Sequence, residues 1–353
     1  MYRAPVEAEE PWGPEGEVEP RFEAVRDVFA GVLREQRGTG AAVAAWHDGR
    51  WVVNLWGGTA DAAGTRRWQR HSIVQPYSVT KPFAAMCALL LIDRGTLDLD
   101  APMQRYWPEF TAPATVRHVL SHQAGVVALD APASTEVFYD WERMSALLAA
   151  QQPHWPPGTA HGESALFYGH LVGELVRRVD GRRLGQFLRD EVCIPLGLDF
   201  TVGLTREQQA RAVDLTCFDD LDPTTRSDLY RHATTNPPGA HDPAVVNSAA
   251  WRAAEIPAIT DTARRGGSPV CTWRCCVASC SRRRCCARPR HRSAQVWMPS
   301  SATTTRGDWA SRSMTATSAW VAREGALAGL ARGARMRSPS SPAPWAAKRA
   351  ASA

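Results

Sequence analysis

Near residue 260 the chain stops being one kind of polypeptide and becomes another, and this break bounds what it can fold into. Residues 261–353 carry 16 Arg and one Lys against Asp261, Asp308 and Glu324 as their only acids, a formal charge of +14. Residues 1–260 carry 24 basic and 33 acidic groups, or −9. Six of the nine cysteines (Cys271, Cys275, Cys276, Cys280, Cys285 and Cys286) crowd into sixteen positions of the tail. The same 93 residues contain no Ile, Phe, Tyr or Asn, and Leu327 and Leu330 are their only leucines. A segment so short of large aliphatic groups buries too little surface to offset its chain entropy. Residues 260–353 are therefore expected to be disordered. A folded domain must come from residues 21–259, behind a flexible, acidic, proline-rich stretch at 1–20.

That leading part is patterned as a globular domain. Residues 21–37 repeat Phe22, Val25, Val28, Phe29 and Val32 on one helical face before a stop at Gly38–Gly40. Residues 41–47 and 50–56 read as two strands joined at Asp48-Gly49, a hairpin signature. A long apolar helix is expected to run from Ser78 through Phe83, Met86, Leu90 and Leu91 to Gly95. A short helix is expected over 115–122 and a strong one over 164–179, ending at Asp180-Gly181. Strands first and mostly helices after them indicate an α+β class: an antiparallel sheet flanked by helices, with a helical subdomain.

The chemistry concentrates at Ser78-Val79-Thr80-Lys81. A serine at a helix start places its hydroxyl and N–H at the positive end of the helix dipole, where a developing oxyanion is favoured. A residue three positions on lies one turn away on the same face, so the Lys81 amine reaches the Ser78 oxygen. A lysine there accepts the serine proton if burial and neighbours lower its pKa. S-x-x-K alone is a common pattern, equally compatible with an ordinary helix start and a solvated lysine.

The surrounding sequence is more specific. QPYSVTKPFAAMCALLLIDRGTLDLDAPMQRYWPEF, then ATVRHVLSHQAGV, PGTAHGESALFYGHLVGELVRRVDG and EVCIPLGLDF, in that order, resemble the serine β-lactamase-like family. That family includes class C β-lactamases, penicillin-binding-protein-like peptidases and family VIII carboxylesterases, and the resemblance spans roughly residues 20–259. It implies an acyl-enzyme on Ser78, with Lys81 as proton acceptor and the Ser78 N–H as half of an oxyanion hole. It implies a small-molecule ester or amide as substrate, and no cofactor. The family's second motif opens with tyrosine, whereas Glu163 stands at that place here. A carboxylate there either holds Lys81 charged, weakening it as a base, or takes the proton itself; as a bland alternative it is an acid favoured at a helix N-terminus. Tyr168, five residues on, is a second candidate that would approach from another angle.

Other readings carry less. His118 and His122 have the i,i+4 spacing of a metal pair, but no acidic third ligand lies nearby in sequence, and helix-end or core histidines are the simpler reading. Trp155 in His154-Trp155-Pro156-Pro157-Gly158 either packs or lines the acyl pocket. No glycine loop that cradles phosphate precedes a helix. The opening lacks a basic region followed by an apolar one, and no apolar run reaches the ~18 residues of a membrane helix, so a cytoplasmic location with no membrane partner is expected. That location favours small esters over β-lactams and cell-wall peptides. A second class of function, nucleic-acid binding by the arginine-rich tail, is chemically conceivable, but the tail lacks a folded module with interleaved aromatics; no specific nucleic-acid partner is expected.

The tail also lacks the family's third motif, Lys-Thr-Gly or His-Gly-Gly, whose strand completes the sheet and supplies the second oxyanion N–H. Cys275-Cys276 and Cys285-Cys286 have no zinc spacing, and a disulfide framework does not suit a cytoplasmic chain. A shifted reading frame accounts for both features. With permitted codons, one nucleotide inserted after the Ile259 codon re-reads the next positions as NGHGTARGVARLYVALL. This is a glycine turn, a threonine cap and an amphipathic helix, similar to the segment after EIPAI in the esterase-like members. The tail is thus expected to be out of frame, the C-terminal part of the sheet to be missing, and activity to be impaired.

Overall fold

The computed structural model describes residues 12–35, 39–216 and 227–259, together with the backbone of 262–264. Two small antiparallel sheets and a helical layer form the domain. The first sheet has the order β1 (Glu15–Val18), β3 (Arg50–Gly58), β2 (Gly40–His47). Its hairpin turns at Asp48 (φ +46°) and Gly49 (φ +77°), two successive left-handed residues as a type I′ turn demands. Helix α1 (Ala24–Glu35) packs Phe29 and Leu33 with Val52, Val53 and Leu55 of β3, and Phe22 and Val25 join them, but Val28 of the expected apolar face points to solvent and Leu33 takes a buried place that the sequence reading did not give it.

The second sheet has the order β4 (Ile73–Val74), β6 (Thr262–Arg264), β5 (Phe200–Thr201). Pairing therefore extends into residues 262–264, just past the boundary set by composition; the rest of the expected out-of-frame tail lies outside the described residues. The fold is α+β, with antiparallel sheets flanked by helices, as expected from the sequence.

Helix α2 (Lys81–Asp93) is the axis of the main core. Ala84, Cys87 and Ala88 are fully buried, and Phe83 stacks on Phe200 with ring centroids 3.9 Å apart. A helix apolar on nearly every side belongs inside a protein. It packs on α5 (Tyr168–Asp180), whose Gly169 admits the passing chain: a Cβ there would lie 2.3 Å from the Pro257 carbonyl carbon. Thr80 Oγ1 also donates to the Pro257 carbonyl oxygen at 3.2 Å, so the start of α2, α5 and the 257–258 segment are joined at one point. Short α3 (Val116–Leu120), α4 (Trp141–Ala150) and α6 (Leu184–Leu188) complete the helical part.

α5 begins four residues later than its periodicity suggests. Ser164 Oγ donates to the Val126 carbonyl oxygen at 2.7 Å, and the Ala165 carbonyl oxygen accepts from Lys81 Nζ at 3.0 Å. These bonds hold 164–167 as a turn over the start of α2.

Glu174 of α5 is wholly buried, and its carboxylate accepts from Trp141 Nε1 (2.8 Å), Arg177 (2.7 and 2.8 Å) and Arg178 (2.6 Å). Burial raises its pKa, but the bonds from Arg177, Trp141 and Arg178 outweigh this and hold it below the usual carboxylate range. Removing Glu174 leaves the buried Trp141 N–H unpaired, at a cost of about 1–3 kcal/mol, while Arg177 and Arg178 are only part-buried and keep Glu142 and Glu109 as partners. Glu174→Ala is expected to lose that much in urea unfolding, with α4 and α5 released from one another; a loss below about 1 kcal/mol would show the cluster to be merely tolerated.

Candidate active site

The segment leading to Ser78 is held on both sides. Gln75 Nε2 donates to the Val246 carbonyl oxygen (3.0 Å) and its Oε1 accepts from Trp251 Nε1 (3.1 Å), both in the core. Tyr77 then adopts φ +51°, a left-handed conformation costly for a side chain of this size, and its hydroxyl donates to the Ala240 carbonyl oxygen at 2.8 Å. The reversal delivers Ser78 into a single 3₁₀ turn, Tyr77–Thr80, which runs directly into α2. Pro82 sits in the first turn of α2, where a missing N–H costs nothing. Ser78 is exposed, while Lys81 beneath it is buried.

Lys81 Nζ donates to Ser78 Oγ at 2.8 Å and to the Ala165 carbonyl oxygen at 3.0 Å, and lies 3.2 Å from Glu163 Oε1. The Lys81 side chain is 8% exposed and that of Glu163 44%, so the pair sits at the floor of an open face. Lys81 holds the Glu163 carboxyl below the usual carboxylate range against the effect of burial, helped by His122 and by hydrogen bonds from Lys81 and Ser78. Ser78, Lys81 and Glu163 thus form one contiguous group. Two segments 80 residues apart in the chain meet there, joined by the turn that delays α5.

Tyr168 is not part of this group. Its hydroxyl donates to the Leu120 carbonyl oxygen at 3.2 Å in a fully buried position, and burial raises its pKa well above the usual phenol value. Residues 118 and 122 do not share a helix face either. His118 Nδ1 accepts from the Thr115 N–H at 3.3 Å and closes the N-terminal cap of α3, whereas His122 lies beyond the helix with φ +59°. Among the described residues no cluster of three His, Cys, Asp or Glu side chains could hold a metal, and no helix is long and apolar enough to cross a membrane. Trp155 packs its indole against Gly162, where a Cβ would come within 2.2 Å of the ring.

Comparison with known proteins decides the family, because the β-lactamase family model matches residues 25–266. The chain belongs to the β-lactamase family. The esterase/β-lactamase LipL of Mycobacterium tuberculosis is 37% identical over 191 residues, which are 52% of this chain and 43% of that protein. A solved family VIII carboxylesterase superposes with a TM-score of 0.64 at 36% identity, covering 71% of this chain and 68% of the other. A penicillin-binding-protein homologue from Caulobacter crescentus gives 0.62 at 34%, with coverage of 71% and 68%. The chain spans less than half the length of the LipL relative it matches.

Within this β-lactamase-family site, sequence reasoning missed three contributors: the Ala165 carbonyl as a lysine acceptor, Tyr77 as the strained lead-in, and His122 beside Glu163. Only His122 drew notice in the sequence, for its i,i+4 spacing from His118; its left-handed backbone has no signature in an isolated histidine.

Proposed function

We propose that this protein is a serine hydrolase that cleaves small carboxylic esters through a Ser78 acyl-enzyme, with Glu163 as proton acceptor and Lys81 as a fixed ammonium. The observation that carries the reading is the set of acceptors around Lys81 Nζ: Ser78 Oγ, the Ala165 carbonyl oxygen and Glu163 Oε1, all within 3.2 Å. An ammonium has three hydrogens to donate and no lone pair to accept with. Three acceptors around it suit the charged form, which leaves the neighbouring carboxylate to receive the serine proton.

The steps then balance. The Ser78 hydroxyl proton passes to Glu163 as Oγ bonds to the ester carbonyl carbon, and the oxyanion develops beside the Ser78 N–H at the start of α2. Collapse breaks the ester C–O bond, and the departing alkoxide takes the proton from Glu163. Water repeats the sequence: it gives a proton to Glu163, attacks the acyl carbon, and Ser78 Oγ recovers the proton as it leaves. A carboxylate with a lowered pKa offers little driving force as a base; the Lys81 ammonium offsets this by stabilising the alkoxide at 2.8 Å.

Esters are favoured over amides because an alkoxide leaves more readily than an unprotonated amide nitrogen, and relatives named as esterases support the choice. β-Lactam opening is the second reading, supported by the double designation of the LipL relative. Parallel assays on p-nitrophenyl acetate, p-nitrophenyl butyrate and a chromogenic cephalosporin separate the two. The expected result is turnover of the esters and little of the cephalosporin; the reverse order would make the protein a β-lactamase.

The present chain is read as an impaired form. The family match ends at residue 266, close to the composition break, and the out-of-frame reading assigns the second oxyanion donor to the frame not expressed. Restoring one nucleotide after codon 259 is expected to raise ester kcat by about 10²–10³, the value of one oxyanion donor. Sequencing source DNA across codons 255–265 separates a sequencing error, which shows the extra base, from a real deletion, which leaves it absent and the gene disrupted. An unchanged DNA sequence together with unchanged kcat would reject the shifted frame.

A further inference from the structure

The short loop that presents Glu163 is held on both flanks of that residue by His122, beside the bond from Ser164 Oγ to the Val126 carbonyl oxygen and a 2.7 Å contact between His161 and Gln123. The His122 carbonyl oxygen accepts from the Gly162 N–H at 3.0 Å, and its ring Nδ1 accepts from the Ser164 N–H at 3.3 Å. Both neighbours of Glu163 are thus tied to the same histidine, one through main chain and the other through side chain. The left-handed backbone of His122 (φ +59°) is what lets carbonyl and ring face the same loop. The ring lies against Tyr168 with centroids 4.5 Å apart, and the Tyr168 hydroxyl is held by Leu120, so the imidazole is backed by a buried aromatic. An accepting Nδ1 places the ring proton on Nε2 in the neutral form. Burial keeps that form, moving the pKa down to about 4 against the opposing pull of Glu163 and with the added push of Lys81 and His161. On the other side, Trp155 presses on Gly162.

We propose that His122 is a positioning residue, clamping the 162–164 loop so that the Glu163 carboxylate faces Ser78 Oγ and Lys81 Nζ. The inference rests on the reading of Glu163 as proton acceptor. Nothing in it requires His122 to touch substrate. A base displaced by about 1 Å costs on the order of 10² in rate, so the clamp has a measurable value.

The test uses the full chain and the second-order rate constant for labelling of Ser78 by a fluorophosphonate. His122→Gly keeps the left-handed backbone and the bond from Gly162 but removes the ring acceptor; His122→Asn restores an acceptor near the place of Nδ1 in a residue that tolerates this backbone. His122→Gly is expected to lower labelling about 10²-fold and His122→Asn to keep most of it. In a Glu163→Gln background, His122→Gly is expected to add almost nothing, because there is no carboxylate left to aim. An equal loss in both backgrounds, or no loss in either, overturns the clamp. A labelling rate unaffected by Glu163→Gln alone is a different result: it sinks the proton-acceptor reading, and the clamp with it. Should His122→Gly fail to fold, as seen by near-UV circular dichroism, His122→Gln supplies the comparison, since its amide lies one atom beyond the Nδ1 position.

Discussion

Ser78→Ala abolishes ester turnover and covalent capture of fluorophosphonates, leaving no more than the rate of buffer. The expectation comes from where the hydroxyl sits. Ser78 is exposed, and its Oγ lies 2.8 Å from Lys81 Nζ on the open face of the Ser78–Lys81–Glu163 group, where an incoming carbonyl can reach it. Surface substitutions usually change stability by about 0.5 kcal/mol or less, and Lys81 keeps the Ala165 carbonyl and Glu163 as acceptors without the serine, so the variant should unfold in urea at a midpoint close to that of the parent. Loss of labelling with an unchanged midpoint assigns the nucleophile; persistent labelling in Ser78→Ala would place it elsewhere.

Glu163→Gln lowers the rate constant for Ser78 labelling at pH 7 by about 10²–10⁴, the range for removal of a general base. Glutamine keeps the shape and can still accept from Lys81, but it cannot take a proton. The pH dependence separates this account from one in which Lys81 is the base. Glu163 must be ionised to act, and Lys81 holds its carboxyl below the ordinary value of 4.5. Labelling by the parent protein should therefore be level through neutral pH and fall only as the solution is acidified through that lowered value. The fall is read as a rate per folded molecule, with His122, which titrates at about 4, followed in parallel by NMR. In Glu163→Gln the residual rate should no longer show the acid limb that belongs to the carboxylate. A parent profile that already climbs with alkalinity, and changes little in Glu163→Gln, would return the role to Lys81.

Ser78 and Lys81 were legible in the sequence because their relation is local: three positions along a helix start put both on one face whatever the rest of the chain does. Glu163 was legible as a departure from a resembled motif, although its role was not, since that depends on which atoms surround Lys81. The hairpin at Asp48-Gly49 and the apolar faces of α1 and α2 could be read from period and turn chemistry. What failed were inferences that carried helical geometry past a helix end. The α5 pattern of apolar residues continues back to Ser164, but the Ser164 hydroxyl and Ala165 carbonyl are spent on Val126 and Lys81. The spacing of His118 and His122 fits a pair only on an unbroken helix; in keeping with the simpler helix-end reading, the chain reverses its hand at His122 and the two rings take different tasks. Tyr168 is near the site in sequence and turns its hydroxyl toward Leu120. In each case a contact between distant segments overrides a local period, and periodicity holds no record of such contacts.

The most direct test of the central claim is to trap the acyl-enzyme. Incubation with p-nitrophenyl acetate, an acid quench and mass analysis of the digest should show one acetyl group, on the peptide containing Ser78, formed in step with a burst of nitrophenolate. An acetyl group on another residue, or hydrolysis by the folded protein with no adduct and no burst, would contradict the account.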